Sequence, residues 1–534
     1  MSLPEKNNPY SFKEWLEKRR INFFEHDIFL QRCIKHYIKN DYDYLNEKLK
    51  EYGNNVSFRW TDMADECTKI ENRPYIINYD NFNNRIDRVV RPITMELMEK
   101  EIFASGLFSE TTGDWERFIK IMLLNQNGEI GIMYPLLCTQ GLIHIIDELT
   151  DSSNRHSEIN KILRHCKEGI NGEFGIGAQF LSGIQNELDV ATITLEAQYE
   201  EDNWRLFGSK FFCSAIHADY FIIIAKIKNS EKTGIFLLPA YLPEEKKNNY
   251  RNGYTIESLE WKLGTVELPT AEMTFNGSIA YLLGDFDYET NNVLETILLH
   301  SKLGIGTTTI GAAIRAVREA KLYSEFKETF GVKINQFPLV VVKLRELQAE
   351  LERIVAGSFK LFDLFLQSGG KFKVINKADP IEVRKKKFLA RQLVLFAKIY
   401  NSKVSTNIIH EAMSILGTQG VIEDFTCLPR LYRNSNIFEL CEGPRNELLT
   451  KLYNDFKINA DWFSIEEFVN ESLTGSDKEE IEHYTQLINE IIAHPNLYNL
   501  DEKTICIAKR WDKLSDDFMM AFQELARQQV LKKL

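Results

Sequence analysis

The sequence predicts a mainly helical α+β protein: an N-terminal helical domain with an extension, a small central β domain, a C-terminal helical bundle and a helical C-terminal extension. Three observations predict this order. Up to about Arg164, aromatic and aliphatic residues recur at three- and four-residue spacing with few turn signals. After Gly169 the period shortens to two, and at about Asn291 the helical period returns. Helices and strands are therefore segregated along the chain, which argues against a doubly wound βαβ fold. The expected divisions are 1–170, 171–288, 289–452 and 453–534.

In the first division Pro92 and the pair Gly128 and Gly131 punctuate an otherwise helical text. The second opens on Gly169, Gly172, Gly175 and Gly177. Asp189–Ala197 then alternates, with Ala191, Ile193, Leu195 and Ala197 on one face, as a half-buried strand does. Tyr220–Lys226, Gly234–Leu238, Glu272–Phe275 and Ile279–Leu283 read as further strands, and Leu242–Gly253 as a charged surface loop. In the third division three stripes mark long helices: Ile310, Ile314 and Val317; Leu344, Leu347, Leu351 and Ile354; Leu389, Leu393, Phe396 and Tyr400. Short connections between them suggest an up-down bundle. Residues 451–534 are helical with a break at Pro495.

The chain has 534 residues, 44% apolar and 27% charged, enough for a large core and unlike a disordered chain. Its net charge of −12 is a poor match to nucleic acid or an anionic membrane. Eight widely spaced cysteines form no CxxC pair and read as reduced, mostly buried thiols of a cytoplasmic protein. The first residues carry no apolar signal region, and no run of 18 apolar residues exists to span a membrane. No HExxH, Walker A or GxSxG pattern occurs, and no metal site is expected. The glycines of Gly304–Gly311 follow no strand, so they suit close helix packing better than phosphate binding.

Four separated segments, in order, resemble the acyl-CoA dehydrogenase family. Phe180–Val190 is similar to its TEPxxGSDV loop, with Ser182 for the Thr, Asp189 and Val190 matching, Gly183 for the Glu, and Glu187 and Leu188 for the Gly-Ser. Trp204–Ser214 resembles YxLxGxKxWIT, with Phe212 for the aromatic that packs on the flavin and Ser214 for the hydroxyl near flavin N5. Lys302–Arg345 resembles the helix that ends in RxxFG. Lys327 replaces the Arg, Phe330 and Gly331 match, and Gly331 also reads as a helix C-cap. Glu411–Gly443 resembles the segment that holds GGxG, PVxRxYRD and the catalytic base; Gly417, Thr418 and Gly420, then Arg430, Tyr432 and Arg433, fall in register.

The resemblance implies an acyl-CoA dehydrogenase-like fold, with a small central β-barrel or sheet domain and a C-terminal four-helix bundle, and an FAD-dependent dehydrogenation of an acyl thioester. Glu442 falls on the base that removes the α-proton, and its apolar surroundings, Ile437–Cys441, suit a raised pKa. Cofactor contacts are implied for Leu181, Ser182, Phe212, Ser214, Lys327, Phe330, Gly417, Thr418, Gly420 and Pro444, the nucleotide end being held by a partner subunit of a homodimer or homotetramer. Substrate contacts are implied for Leu188, Ser301 and Lys302. Leu299 replaces an acidic residue near the CoA moiety, so a carrier-protein thioester stands beside acyl-CoA, and electron-transferring flavoprotein or O₂ is the expected acceptor. Three alternatives stay open: an AidB-like flavoprotein, suggested by the N-terminal extension and Leu428–Arg433; a degenerate, non-catalytic relative; and an acyl-CoA oxidase. Residues 451–534 carry 10 Lys/Arg against 16 Asp/Glu, which weighs against DNA as a partner.

Overall fold

The computed structural model describes residues 11–181, 194–230, 232–242, 250–285, 290–370 and 375–532, with side chains described for all of these except 40 and 290–297. Helices α1 (Lys13–Lys18), α2 (Ile28–Ile38), α3 (Tyr42–Asn55) and α4 (Thr61–Cys67) open the chain. Asp27 caps α2 by accepting from the Leu30 amide at 2.9 Å. A two-stranded hairpin follows, β1 (Tyr75–Tyr79) with β2 (Arg85–Val90), where helix was expected throughout. Its turn is built by Asp80, whose Oδ1 accepts from the Phe82 and Asn84 amides at 2.8 Å each, and Asn83 takes φ +65°. The Asp-Asn cluster at 80–84 is the turn chemistry that the apolar period alone passes over. Helices α5 (Ile93–Ala104), α6 (Asp114–Leu124), α7 (Met133–Leu149) and α8 (Ser157–Glu168) complete this part.

Seven strands form the central sheet: β3 (Gly177–Phe180), β4 (Glu196–Glu200), β5 (Asn203–Ser214), β6 (Tyr220–Ile227), β7 (Thr233–Pro239), β8 (Tyr254–Leu259) and β9 (Thr270–Leu283). Their order is β3-β6-β4-β5-β9-β7, and β6 also pairs with β7, which closes the ring. The contacts of β3 and β4 with β6 are parallel; the rest are antiparallel. The two expected strands at 272–283 are one long strand, β9, and β8 lies just beyond the expected loop. Of the alternating run at 189–197, residues 189–193 lie outside the described residues. Leu195 and Ala197 are buried and Glu196 exposed, as alternation requires.

The long helices are α9 (Thr290–Phe326), α10 (Pro338–Gln367) and α11 (Ile381–Leu416), followed by α12 (Leu428–Leu440), α13 (Arg445–Asn459), α14 (Ile465–Ser472), α15 (Lys478–Ile492) and α16 (Glu502–Lys532). All three predicted stripes fall on α9, α10 and α11. Gly304 and Gly311 let α9 close on its neighbours: a Cβ at Gly304 would meet Leu137 at 2.7 Å, and one at Gly311 the Met122 carbonyl at 2.6 Å. Gly331 is not a helix C-cap. The helix ends at Phe326, and Gly331 turns the short hairpin of β10 (Glu328–Thr329) and β11 (Val332–Lys333) at φ +82°.

The C-terminal segment is part of the core. Trp511, Phe518, Met519, Phe522 and Ala526 of α16 are buried, and Gln523 Nε2 donates to Asn401 Oδ1 of α11 at 2.7 Å. A Cβ at Gly357 of α10 would meet Gln523 at 2.3 Å. Phe518 stands 5.4 Å from Phe396, 5.7 Å from Phe468 and 5.5 Å from Tyr484, so one ring joins four helices. Phe518→Ala is expected to lower the free energy of unfolding by about 3–5 kcal/mol, measured in urea; a loss under about 1 kcal/mol would mean that α16 packs as an appendix.

Candidate functional site

A cavity of about 80 Å³ opens where the barrel meets the helices. Gln179 and Leu181 line it from the end of β3, Phe212 and Ser214 from β5, and Lys262 and Thr265 from the β8–β9 connection. Tyr134, Leu298 and the Ile437–Glu442 end of α12 close it from the helical side.

On the barrel wall, β5 loses its register against β9 between Lys210 and Cys213. Phe212 takes φ +54° in this bulge and Ala215 φ +61° just past the end of β5, conformations that cost a non-glycine residue energy. The bulge turns Phe212 outward, so its ring stays 45% exposed although it lines the cavity. Ser214 Oγ lies 3.0 Å from Thr270 Oγ1. An apolar ring face beside a hydroxyl is a donor set suited to a planar heteroaromatic group such as a flavin.

On the helical wall α12 stops at Leu440, Cys441 is extended, and the chain reverses through Glu442 (φ +59°) and Gly443 (φ +103°) into α13. Lys398 holds the reversal. It is buried on α11 and donates to the carbonyls of Glu439 (2.9 Å) and Gly443 (2.7 Å), which bracket Glu442. The Glu442 carboxyl is half-buried in the cavity wall. Burial pushes its pKa above 4.5, and the charges of Lys302 and Lys398 oppose without cancelling the rise. The sequence reasoning named Glu442 and missed Lys398. Its signal is a lysine inside Leu393–Tyr400, a stretch otherwise apolar on every helical face.

Leu181, Phe212, Ser214 and Glu442 thus meet in one cavity. Ser301 and Lys302 are buried beside it: Ser301 Oγ donates to Gln179 Oε1 at 3.4 Å, and Lys302 faces Glu442 closely enough to act on its charge. Pro444 precedes α13 as its N-cap and does not line the cavity. Ser182 and Leu188 lie outside the described residues.

Lys327, Phe330, Gly417, Thr418 and Gly420 form a second group away from the cavity. The α9 end and the 417–421 turn are joined by Tyr323 Oη donating to Gln419 Oε1 at 3.4 Å. Phe330 is 94% exposed, and Gly417 and Thr418 are exposed. Gly417 meets open space at φ +63°, whereas a Cβ at Gly420 would strike the Met413 carbonyl at 2.3 Å. Gly420 is therefore required by packing on α11. Arg430 and Arg433, read as family matches, are held within the chain. Arg430 binds Asp65, Thr68 and the carbonyls of Asn127 and Gly128, and Arg433 binds Glu423.

Among known proteins, residues 291–453 match the family described as "Acyl-CoA dehydrogenase, C-terminal domain". Acyl-CoA dehydrogenase family member 11 of Caenorhabditis elegans is 22% identical over 449 residues, 80% of this chain and 69% of that protein. The putative acyl-CoA dehydrogenase AidB of Escherichia coli K12 is 29% identical over 270 residues, 49% of this chain and 45% of AidB. Among solved structures, the apo-form of Bd2924 superposes with TM-score 0.82 at 21% identity, covering 96% of this chain and 98% of that one. C. elegans ACDH-11 in complex with C11-CoA superposes with TM-score 0.75 at 19% identity, covering 96% and 91%. Among the described residues no helix is long and apolar enough to cross a membrane.

Because burial raises the Glu442 pKa above its unfolded value, the folded chain keeps a proton that the unfolded chain releases first. Stability then falls as pH rises through the window between the two pKa values. Glu442→Gln removes that cost. In urea titrations it is expected to be more stable than the parent at about pH 8 and equal to it below about pH 4. Equal stability at both pH values would refute the desolvated carboxylate.

Proposed function

Starting from an acyl-CoA dehydrogenase-like chain, we propose that Glu442 is the base in an FAD-dependent α,β-dehydrogenation of an acyl-CoA thioester. The observation that carries this reading is the meeting of one desolvated carboxylate with the outward-turned Phe212 and Ser214 in a single cavity. The three come from the helical and barrel parts of the chain.

Glu442 would take the α-proton of the thioester. Its raised pKa suits this, since a base works best when its pKa lies near the operating pH. The Glu442 amide sits in the same reversal and would donate to the thioester carbonyl as negative charge develops on its oxygen. Lys398 supports both roles by fixing the carbonyls on either side. Phe212 and Ser214 would hold the cofactor ring face and edge. When bound, FAD supplies the two-electron acceptor chemistry that takes up the β-hydrogen with its electron pair. Lys327, Phe330, Gly417 and Thr418 would hold the nucleotide end of the cofactor of a second copy in a homodimer or larger assembly. The 94% exposure of Phe330, outside the cavity, supports a role completed by another chain.

For the substrate, the ACDH-11 complex with C11-CoA supports the acyl-CoA class. The retained carboxylate favours dehydrogenation over a non-catalytic role. The test is the visible spectrum of FAD-loaded protein during anaerobic addition of acyl-CoAs of several lengths. The flavin band is expected to bleach, and Glu442→Gln is expected to bind FAD equally and bleach about 10²–10⁴-fold more slowly. Undiminished bleaching in Glu442→Gln would refute the base, and absence of a flavin band would refute the cofactor. Reoxidation with O₂ or with an electron-transferring flavoprotein then identifies the acceptor.

A further inference from the structure

The cavity holds a second titratable group that the reading above leaves unused. Lys262, between β8 and β9, donates from Nζ to Thr270 Oγ1 at 2.8 Å and to the Leu268 carbonyl at 2.9 Å. Thr270 Oγ1 lies 3.0 Å from Ser214 Oγ, and Ser214 lines the cavity. The three side chains make a continuous line from an amine to a hydroxyl at the wall.

The direction of that line follows from the donor inventory. An ammonium can only donate, so Thr270 Oγ1 accepts from Lys262 and must place its own proton elsewhere. Its two possible acceptors are Ser214 at 3.0 Å and the Leu268 carbonyl at 3.3 Å. Ser214 is the nearer of the two, and the Leu268 carbonyl already accepts from Lys262, which together favour Ser214 as the acceptor of the Thr270 proton. Ser214 Oγ then accepts, and its proton turns into the cavity.

We propose that Lys262, acting through Thr270, fixes the Ser214 hydroxyl as a hydrogen-bond donor directed into the cavity. Lys262 is thus a positioning residue, and the wall beside Phe212 offers its donor to an acceptor on the bound group. That acceptor is the edge of a flavin ring if the function proposed above holds, and only this identification rests on that reading. A donor fixed before binding needs no reorganisation when its acceptor arrives.

The arrangement also responds to pH. Burial lowers the Lys262 pKa to about 8, against the opposing influence of Glu267, Cys441 and Glu260. Glu442 stands on the same cavity. Above that pH the amine becomes neutral and can accept, so the outward direction is no longer imposed.

The test needs neither flavin nor turnover. In a Ser214→Cys background the thiol replaces the hydroxyl, and a donated hydrogen bond together with a nearby cation favours the reactive thiolate. The rate of iodoacetamide alkylation of Cys at position 214 is read near neutral pH by tandem mass spectrometry, whose fragment ions separate it from the adjacent, buried Cys213 and the other native cysteines. Adding Lys262→Met or Thr270→Val is expected to slow alkylation about three- to ten-fold, and adding Lys262→Arg to preserve it. An unchanged rate in Lys262→Met refutes the role of the amine. A slowed rate in Lys262→Met with an unchanged rate in Thr270→Val refutes the relay, since the cation then acts through space. Thermal unfolding confirms that each variant is folded. If Lys262→Met is not, Thr270→Val, which keeps the cation, decides. The expected pattern in a protein that acyl-CoA fails to bleach would overturn the dehydrogenase reading and leave the relay standing.

Discussion

The Arg430 guanidinium, buried near the N-terminal end of α12, is the constraint on which the site depends. Its nitrogens donate to the carbonyls of Gly128 and Asn127, to Thr68 and to Asp65. One cation thereby ties α12 to α4 and to the connection between α6 and α7. Removing the guanidinium would leave the Asn127 and Gly128 carbonyls without their donor, and a buried polar group left unsatisfied typically costs about 1–3 kcal/mol. Asn434 extends the anchor by accepting from the Thr265 amide of the barrel at 2.7 Å. With that end pinned, α12 can deliver its other end, Cys441 and Glu442, to the cavity.

At the delivered end, two opposing terms decide the state of the acid. Apolar walls disfavour the charged carboxylate, while Lys302 and Lys398 favour it. The rise in pKa shows that desolvation is the larger. Lys398 spends two of its donors on the carbonyls of Glu439 and Gly443, so its main effect is to hold a reversal in which Glu442 sits at φ +59°. A left-handed conformation at a residue with a β-carbon costs about 1–2 kcal/mol, and two buried hydrogen bonds to an ammonium are of the size needed to offset it. The same logic shapes the facing wall, where a β-bulge turns Phe212 outward at φ +54°.

The terminal segments belong to the same construction. Trp15 of α1 packs against Tyr323 and Phe425, beside the group that contains Lys327 and Gly417. Helix α16 lies along α10 and α11, and Lys398 projects from α11. Residues far from the cavity therefore bear on how well its parts are aligned, because close-packed helices transmit strain.

The order of helical and strand segments, the three apolar stripes of α9, α10 and α11, and the candidacy of Glu442, Phe212 and Ser214 were all legible in the residues. Periodicity reports which face of an element is buried, and a motif reports residue types at fixed spacing; both are local properties of the chain. The hairpin at 75–90 was not legible by period, because its signal lies in the side-chain chemistry of Asp80 and Asn83. The turn at Gly331 was misread as a cap because a positive φ serves both purposes. Only the tertiary structure decided that Gly420 is required by Met413, that Arg430 is an internal anchor, that Lys262 lines the cavity and that Lys398 holds the reversal carrying Glu442. Those roles depend on pairs of residues distant in sequence, and the free energy of a buried charge is set by what surrounds it in space.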